Sequence, residues 1–434
     1  MRVGIIGTGY VGLCTGAVLA EIGHEVCCVD CDEAKISTLQ NGRAPIFEPG
    51  LQELIDVHSQ SGGLRFSTDI AEGVAGAEVV IIAVGTPRTA DGEPNMVYVE
   101  SVSEQIARNL DGYKVIVEKS TVPVQTGEWI KTVLARNNVS NHPFDVVSNP
   151  EFLREGHAIV DSMKADRIVI GTDSPKAAGI MRELYGPILD ESKAAFVVTD
   201  IRTAELIKHA SNAFLATKIS FINAIANICE RCGADVRKVA EGMGYDNRIG
   251  PSFLKAGIGY GGSCFPKDTD AFIYISEQLG YDFELLKSVR KVNDGQRELF
   301  VKKIRDVLWN LEGKRIAVWG LSYKPMTDDL RNSPSIDVIR SLIDHRATVV
   351  AYDPVSMDKA RKTLPEEVLY AKGPLEAAEG AECVALITEW DEFLSVDLGE
   401  LKRRMRYPVL VDGRNVFERG EMERLGFVYQ GIGA

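Results

Sequence analysis

Apolar positions along the 434-residue chain fall into strand-like runs, a long helical stretch, and strand-like runs again. Residues 2–7 (Arg-Val-Gly-Ile-Ile-Gly) are a short apolar run feeding a glycine-rich turn. Val11, Leu13, Val18 and Leu19 then follow a helical pattern that Gly23–His24 ends. Glu25-Val-Cys-Cys-Val-Asp30 reads as a second strand. Ala77–Val84, Val115–Thr121 and Asp145–Pro150 are further runs, the first continuously apolar from Val79 to Val84 as a parallel strand covered on both faces requires. From Thr203 to Cys232 the period is helical without a break, and Gly233 terminates it. Helical patterning continues to about residue 310 through Phe272–Leu279 and Ser288–Leu308, interrupted by a glycine-rich interval, Arg248–Pro266. The opening pattern then returns: Arg315–Lys324 echoes Arg2–Val11, Ala347–Asp353 echoes His24–Asp30, and Ala381–Ile387 echoes Ala77–Ala83. The expected fold is α/β, with two doubly wound domains joined by a long central helix and a helical middle domain. The expected sections are 1–202, 203–310 and 311–434.

Composition narrows the class. An apolar share of 45% with 26% charged residues is that of a soluble globular protein. No apolar run approaches the ~18 residues of a membrane span. The chain opens on the strand-like Met1–Gly7 with no secretion signal, so a cytoplasmic location is expected. A net charge of −13 argues against nucleic acid as a partner, but a small anion needs only a few local cations. The eight cysteines are scattered, so no disulfide framework is expected. Cys229 and Cys232 close a long helical run and read as helix packing, and no metal site is expected.

Gly7-x-Gly9-x-x-Gly12, set between strand and helix and followed by Asp30 at the end of the next strand, is a complete dinucleotide fingerprint. The first glycine makes the turn, the second admits a pyrophosphate, and the third lets helix pack on strand. The helix N-terminus presents amides and positive dipole to phosphates. A carboxylate at Asp30 would accept ribose hydroxyls and repel a 2′-phosphate, so NAD is the expected cofactor of this Rossmann-like half. Lys35 could add a contact beside the ribose. Ligands of an open parallel sheet sit beyond the carboxyl ends of its strands, which makes Thr86, Thr121 and the segment after Ser148 candidates by position. Asn149-Pro150-Glu151 reads as a helix cap with one or two turns after it, placing Glu151 and Glu155 on one face.

Gly259-Tyr-Gly-Gly-Ser-Cys-Phe-Pro-Lys-Asp268 sets one cysteine between a glycine-rich approach and a cationic exit. Lys267 would favour the thiolate of Cys264, while a small buried apolar residue in a turn is the plainer reading. Lys208 and Asn212, four apart, point the same way from the long helix, either partly solvated or facing a site. The second α/β copy lacks the second and third glycines and should not hold a dinucleotide in the same way. Its cations, Lys324, Arg331 and Arg414, suit another, phosphorylated ligand. NAD together with a cysteine nucleophile suggests oxidation through a thioester.

Five motifs in this order resemble the UDP-glucose/GDP-mannose dehydrogenase family, and the resemblance spans essentially the whole chain. They are Gly7–Gly12, Glu118-Lys-Ser-Thr-Val-Pro123, Asn149-Pro-Glu-Phe-Leu-Arg-Glu-Gly156, Gly261–Asp268, and Gly320-Leu-Ser-Tyr-Lys324 with Asp329-Leu-Arg331. The resemblance implies a four-electron oxidation of a sugar C6 alcohol to a carboxylate, using NAD twice. Cys264 matches the nucleophile, Lys208 and Asn212 the residues around the reacting oxygen, and Glu151 an acid assisting proton transfer or thioester hydrolysis. Asp268 and Thr121 match residues near the catalytic water. Cofactor contacts carry over to Gly7, Gly9, Tyr10, Val11, Gly12, Asp30, Lys35, Thr86, Thr121, Glu155, Lys267 and Arg331. Sugar-nucleotide contacts carry over to Glu151, Phe152, Leu153, Arg154 and Glu155, to Lys208 and Asn212, and to Phe253, Leu254, Lys255, Ala256, Gly257, Tyr260, Gly261, Lys324 and Arg414. Arg248 matches an arginine that reaches a neighbouring subunit's site, implying a homodimer or higher homo-oligomer through the central helices. Gly-Gly-Ser-Cys is similar to the UDP-glucose type, with GDP-mannose or a UDP-N-acetylhexosamine as the alternative substrates.

Overall fold

The computed structural model describes residues 1–87 and 94–433. It divides into two compact units, one of Met1–Ser211 with Asp270–Leu279, the other of Asn212–Thr269 with Gly280–Ala434. The helix Ile201–Cys232 is continuous through the first division and the helix Phe265–Gln278 through another.

The first unit holds strands β1 (Arg2–Ile6), β2 (Glu25–Val29), β3 (Leu64–Ser67), β4 (Val79–Ile82), β5 (Lys114–Glu118), β6 (Phe144–Ser148), β7 (Arg167–Gly171) and β8 (Ala195–Thr199). Their order is β3-β2-β1-β4-β5-β6-β7-β8. Neighbours pair in parallel except β6 with β7, which meet antiparallel at Ser148 and Gly171. Each central strand serves two cores. Val3, Ile5, Val79, Ile81, Val115 and Val117 face one side, and Ile6, Val80, Ile82 and Ile116 the other. Side chains alternate across a strand, so double burial requires the apolar runs seen in the sequence. Full burial of each such side chain stabilises by about 1.5–3 kcal/mol.

The second unit repeats the plan with β9 (Arg315–Trp319), β10 (Thr348–Tyr352), β11 (Leu369–Tyr370), β12 (Cys383–Leu386), β13 (Val409–Asp412) and β14 (Val428–Gln430) in the order β11-β10-β9-β12-β13-β14. The first six strands of the first sheet have the same order, so the sequence echo is a topological repeat, and in each sheet the strand order reverses beside its first strand. The α/β fold with two sheets and a long helical central stretch is therefore as expected.

The two copies differ at the turn after that strand. Gly7 and Gly320 both take left-handed conformations, at φ +107° and +91°. In the first copy the helix Tyr10–Glu21 starts at once, and Gly9 at its N-cap makes no side-chain cap. In the second copy the next helix, Pro334–Asp344, starts far downstream and is capped by the Ser333 hydroxyl. Asp353, at the place of Asp30, is fully buried and accepts the amides of Leu321, Ser322, Val355 and Ser356 and the Trp390 indole N–H. Among the described residues no helix is long and apolar enough to cross a membrane, and no group of His, Cys, Asp and Glu is arranged to hold a metal.

Candidate functional site

In the first unit the glycine turn has the form a pyrophosphate needs. A Cβ on Gly12 would lie 1.9 Å from the Gly7 carbonyl oxygen, whereas one on Gly9 would meet nothing within 4 Å. Gly12 thus permits the close turn, and Gly9 leaves open space before uncapped helix amides. Asp30 closes the other side. Its Oδ2 accepts from Thr8 N, Thr8 Oγ1 and Lys35 Nζ, each at 2.8 Å. Burial alone would raise the Asp30 pKa, but these hydrogen bonds, Lys35 foremost, leave it below the ordinary carboxylate range. The carboxylate is therefore charged and fixed beside the turn. These features fit a dinucleotide on this chain's own geometry. Val11 lies half-buried on the same helix.

Tyr10 turns its hydroxyl onto Glu48, which also accepts Gly156 N at 2.6 Å and Ala158 N at 2.7 Å. Glu48 thereby ties the glycine-turn helix to the segment after β6. Burial first, and then the charges of Glu48 and Glu155, push the Cys14 thiol up, and Glu155 is itself buried. At the rim, Thr86 Oγ1 donates to the Thr121 carbonyl at 2.9 Å.

The helix expected after Asn149-Pro150 does not form. Residues 151–154 are irregular, and the helix begins at Ala158. The reason is side-chain competition for its amides: Glu151 Oε2 accepts Leu153 N at 2.6 Å, Asp161 accepts Arg154 N, and Glu48 takes Gly156 N. Gly156 at φ +80° completes the turn. Glu151 is instead directed to the long helix, where its Oε1 accepts Lys208 Nζ at 3.0 Å, both side chains being 5% exposed. Phe152 lies 5.5 Å from that ammonium and stacks on Arg167, Leu153 packs against the core, and Arg154 is exposed and paired with Asp161.

The second unit holds the cysteine loop. Cys264 is half-buried immediately before the helix Phe265–Gln278, with Ser263 Oγ 3.5 Å from its sulfur. A thiol at a helix N-terminus is poised for the thiolate. One turn on, Asp268 donates its amide to the Cys264 carbonyl at 2.8 Å. Its buried carboxylate joins Asn212 Nδ2 and Lys267 Nζ, each at 2.6 Å. Lys267 thus engages the acid rather than the thiol in these contacts.

The glycines upstream are forced by crowding. A Cβ on Gly261 would sit 2.3 Å from the Asn332 carbonyl oxygen, and one on Gly262, already at φ +85°, would strike the Tyr323 ring. Asn293 pins Tyr260 through both its N–H and C=O, Asn223 and Gln296 pin Gly257, and Leu254 and Ala256 are buried. Phe253 adopts φ +64° and leans on Phe265, while Lys255 is exposed. Arg414 reaches the carbonyls of Ile387, Gly259 and Tyr323 and the Glu389 carboxylate, so it braces the same loop. Lys324 lies 5.5 Å from the Tyr323 ring, Arg331 pairs with Asp329, and Arg248 is exposed and pairs with Asp246.

Family models match the chain in three consecutive stretches: the UDP-glucose/GDP-mannose dehydrogenase family NAD-binding domain at 1–189, its central domain at 202–295 and its UDP-binding domain at 317–419. The chain belongs to the UDP-glucose/GDP-mannose dehydrogenase family. It is an NAD-dependent dehydrogenase. A UDP-glucose 6-dehydrogenase of Bacillus subtilis is 47% identical over 432 residues, covering 100% of this chain and 93% of that protein. A UDP-glucose dehydrogenase of the hyperthermophilic archaeon Pyrobaculum islandicum superposes with a TM-score of 0.92 at 38% identity, covering 100% of this chain and 97% of the other. A UDP-D-ManNAc dehydrogenase of Pyrococcus horikoshii follows at 0.87 and 27%, covering 100% and 99%. The fold alone therefore does not discriminate the sugar.

Several residues that shape this region carry no local sequence signal: Thr8, Glu48 and the acid of Glu118 in the NAD-binding stretch, and Glu205 in the central stretch. Burial pushes Glu118 up to about 8, and its neighbour Glu205 adds to the rise. Burial likewise pushes Glu205 up to about 7. An unfolded glutamate releases its proton near 4.3. Between that pH and about 7–8 the folded chain holds protons the unfolded chain does not, so stability falls as pH rises. Glu118→Gln removes the titrating group. It should flatten the loss of stability between about pH 5.5 and 8.5 by roughly 3 kcal/mol. Equal slopes for variant and wild type in urea unfolding at those pH values would refute the assignment.

Proposed function

We propose that this chain oxidises UDP-glucose to UDP-glucuronate, with Cys264 as a covalent nucleophile. The observation that carries the proposal is Cys264 at a helix N-terminus, one turn before an Asp268 that is tied to Asn212. The 47% identity to a UDP-glucose 6-dehydrogenase favours UDP-glucose over GDP-mannose or a UDP-N-acetylhexosamine. The glycine turn and Asp30 would hold NAD, which supplies the hydride acceptor for both oxidations. The C6 alcohol first gives up a proton and a hydride. Lys208, one helical turn from Asn212, balances the charge on the sugar oxygen. The Cys264 thiolate then adds to the aldehyde carbon, forming a thiohemiacetal. Loss of a second hydride leaves a thioester, and water cleaves it to the carboxylate and restores the thiol, a step in which the family resemblance gives Thr121, Glu151 and Asp268 a part. The sections 1–202, 203–310 and 311–434 would serve NAD binding, catalysis with dimerisation, and UDP binding.

The chain would work as a homodimer through the central helix. Phe214, Phe221 and Ile228 recur every seven residues along it and are 66%, 49% and 57% exposed, an apolar stripe that a second copy would cover. NAD, a nucleotide sugar and thiols outside disulfides suit a cytoplasmic setting.

Wild-type protein should yield about two NADH per UDP-glucose consumed and little product from GDP-mannose. One NADH per sugar, or a preference for GDP-mannose in the same assay, would overturn the reading.

A further inference from the structure

We infer that Glu205 is a positioning residue that fixes the main chain around Thr121. In the first unit, Glu205 is buried on the long helix, and its two carboxylate oxygens accept Gln125 N at 2.7 Å and Gly127 N at 2.8 Å. The helix Thr126–Asn137 starts there. Its N-cap residue, Gln125, stands at φ +83° and makes no side-chain cap of its own. A glutamate 80 residues away in sequence therefore caps this helix and holds its left-handed entry. One turn further along the long helix, His209 Nε2 donates to the Val122 carbonyl at 2.7 Å, and its ring stacks on Phe272. From the other side, Glu118 accepts Ser120 N at 2.6 Å and Thr86 donates to the Thr121 carbonyl. A Cβ on Gly127 would lie 2.6 Å from Ile201, so the capped helix starts pressed against the long one.

Residues 120–127 are thus gripped on both flanks of Thr121, upstream by Glu118 and downstream by the same two helical turns that carry Lys208 to Glu151. Glu205 sets where Thr121 stands relative to its own unit without being required to touch substrate. This rests on the proposed function, which gives Thr121 its place beside the attacking water.

The test compares wild type, Glu205→Ala, Glu205→Gln, Thr121→Ala and the Glu205→Ala/Thr121→Ala double variant, full-length, with UDP-glucose and NAD. Glu205→Ala should lower kcat about 10- to 100-fold while both KM values move less than about threefold. Because the water-dependent step is the one slowed, a fast burst of about two NADH per site should precede slow turnover. Glu205→Gln, which keeps one oxygen acceptor, should recover part of kcat. The double variant should be no slower than Thr121→Ala. Multiplying losses in the double variant, or slow turnover without a burst, overturns the inference while wild type still runs. If Glu205→Ala does not fold, Glu205→Gln with and without Thr121→Ala makes the same comparison. Wild type giving no NADH from UDP-glucose overturns the proposed function, and the inference with it.

Discussion

Cys264→Ser should lower steady-state NADH formation from UDP-glucose at least about a thousandfold, with little change in melting temperature. The two effects separate because the sulfur is half-buried and serine nearly reproduces its shape, so packing around Phe265 and Ser263 survives. Chemistry does not survive. A thiol is far more acidic than an alcohol and a stronger nucleophile at neutral pH, so a serine hydroxyl in its place does not form the adduct at a useful rate. The glycine turn, Asp30 and Lys35 lie in the other unit and are unchanged, so NAD titration should give the wild-type Kd. A serine variant turning over within tenfold of wild type would return Cys264 to a structural role.

Lys208→Met should show two losses that a second substitution pulls apart. The ammonium and Glu151 are both buried, so deleting the cation leaves a carboxylate desolvated without its partner, which costs about 3–5 kcal/mol. If Lys208 also balances charge on the reacting oxygen, kcat falls by a further 10²–10³-fold or so. Adding Glu151→Gln removes the orphaned charge. The double variant should therefore regain most of the stability in urea unfolding and none of the turnover. Turnover that returns with stability would make the pair a purely structural one. Lys208→Arg is not a mild control, since a planar fork does not fit a site built around a point charge.

What the sequence made legible was what local pattern encodes. The double burial of β1, β4, β5 and β9 demands continuous apolar runs, and those runs announced both sheets and their repeat. The glycine turn and Asp30 were readable because turn, close approach and ribose contact impose fixed residue types at fixed distances. Strands β3, β7, β8, β11, β13 and β14 were not anticipated. β8 exposes Val197 and Val198 at the sheet edge and carries little of the buried pattern. The turn at Glu151–Gly156 resembled a capped helix because its competitors for amide protons, Glu48 and Asp161, lie outside the local window. Glu205 was invisible for the same reason: its partners are 78 and 80 residues away, and an acid on a helix suggests only solvent. Long-range side-chain to main-chain contacts fix the fine placement of the site, and no periodicity encodes them.

The second sheet shows what became of a duplicated topology. Asp353 spends its carboxylate on its own turn, and the following helix starts too late and already capped. An NAD-shaped inhibitor therefore has one address per chain, not two. Titrated against this protein, it should saturate at a single equivalent, and chemical series built on the dinucleotide scaffold will not be diluted by a decoy site in the same molecule.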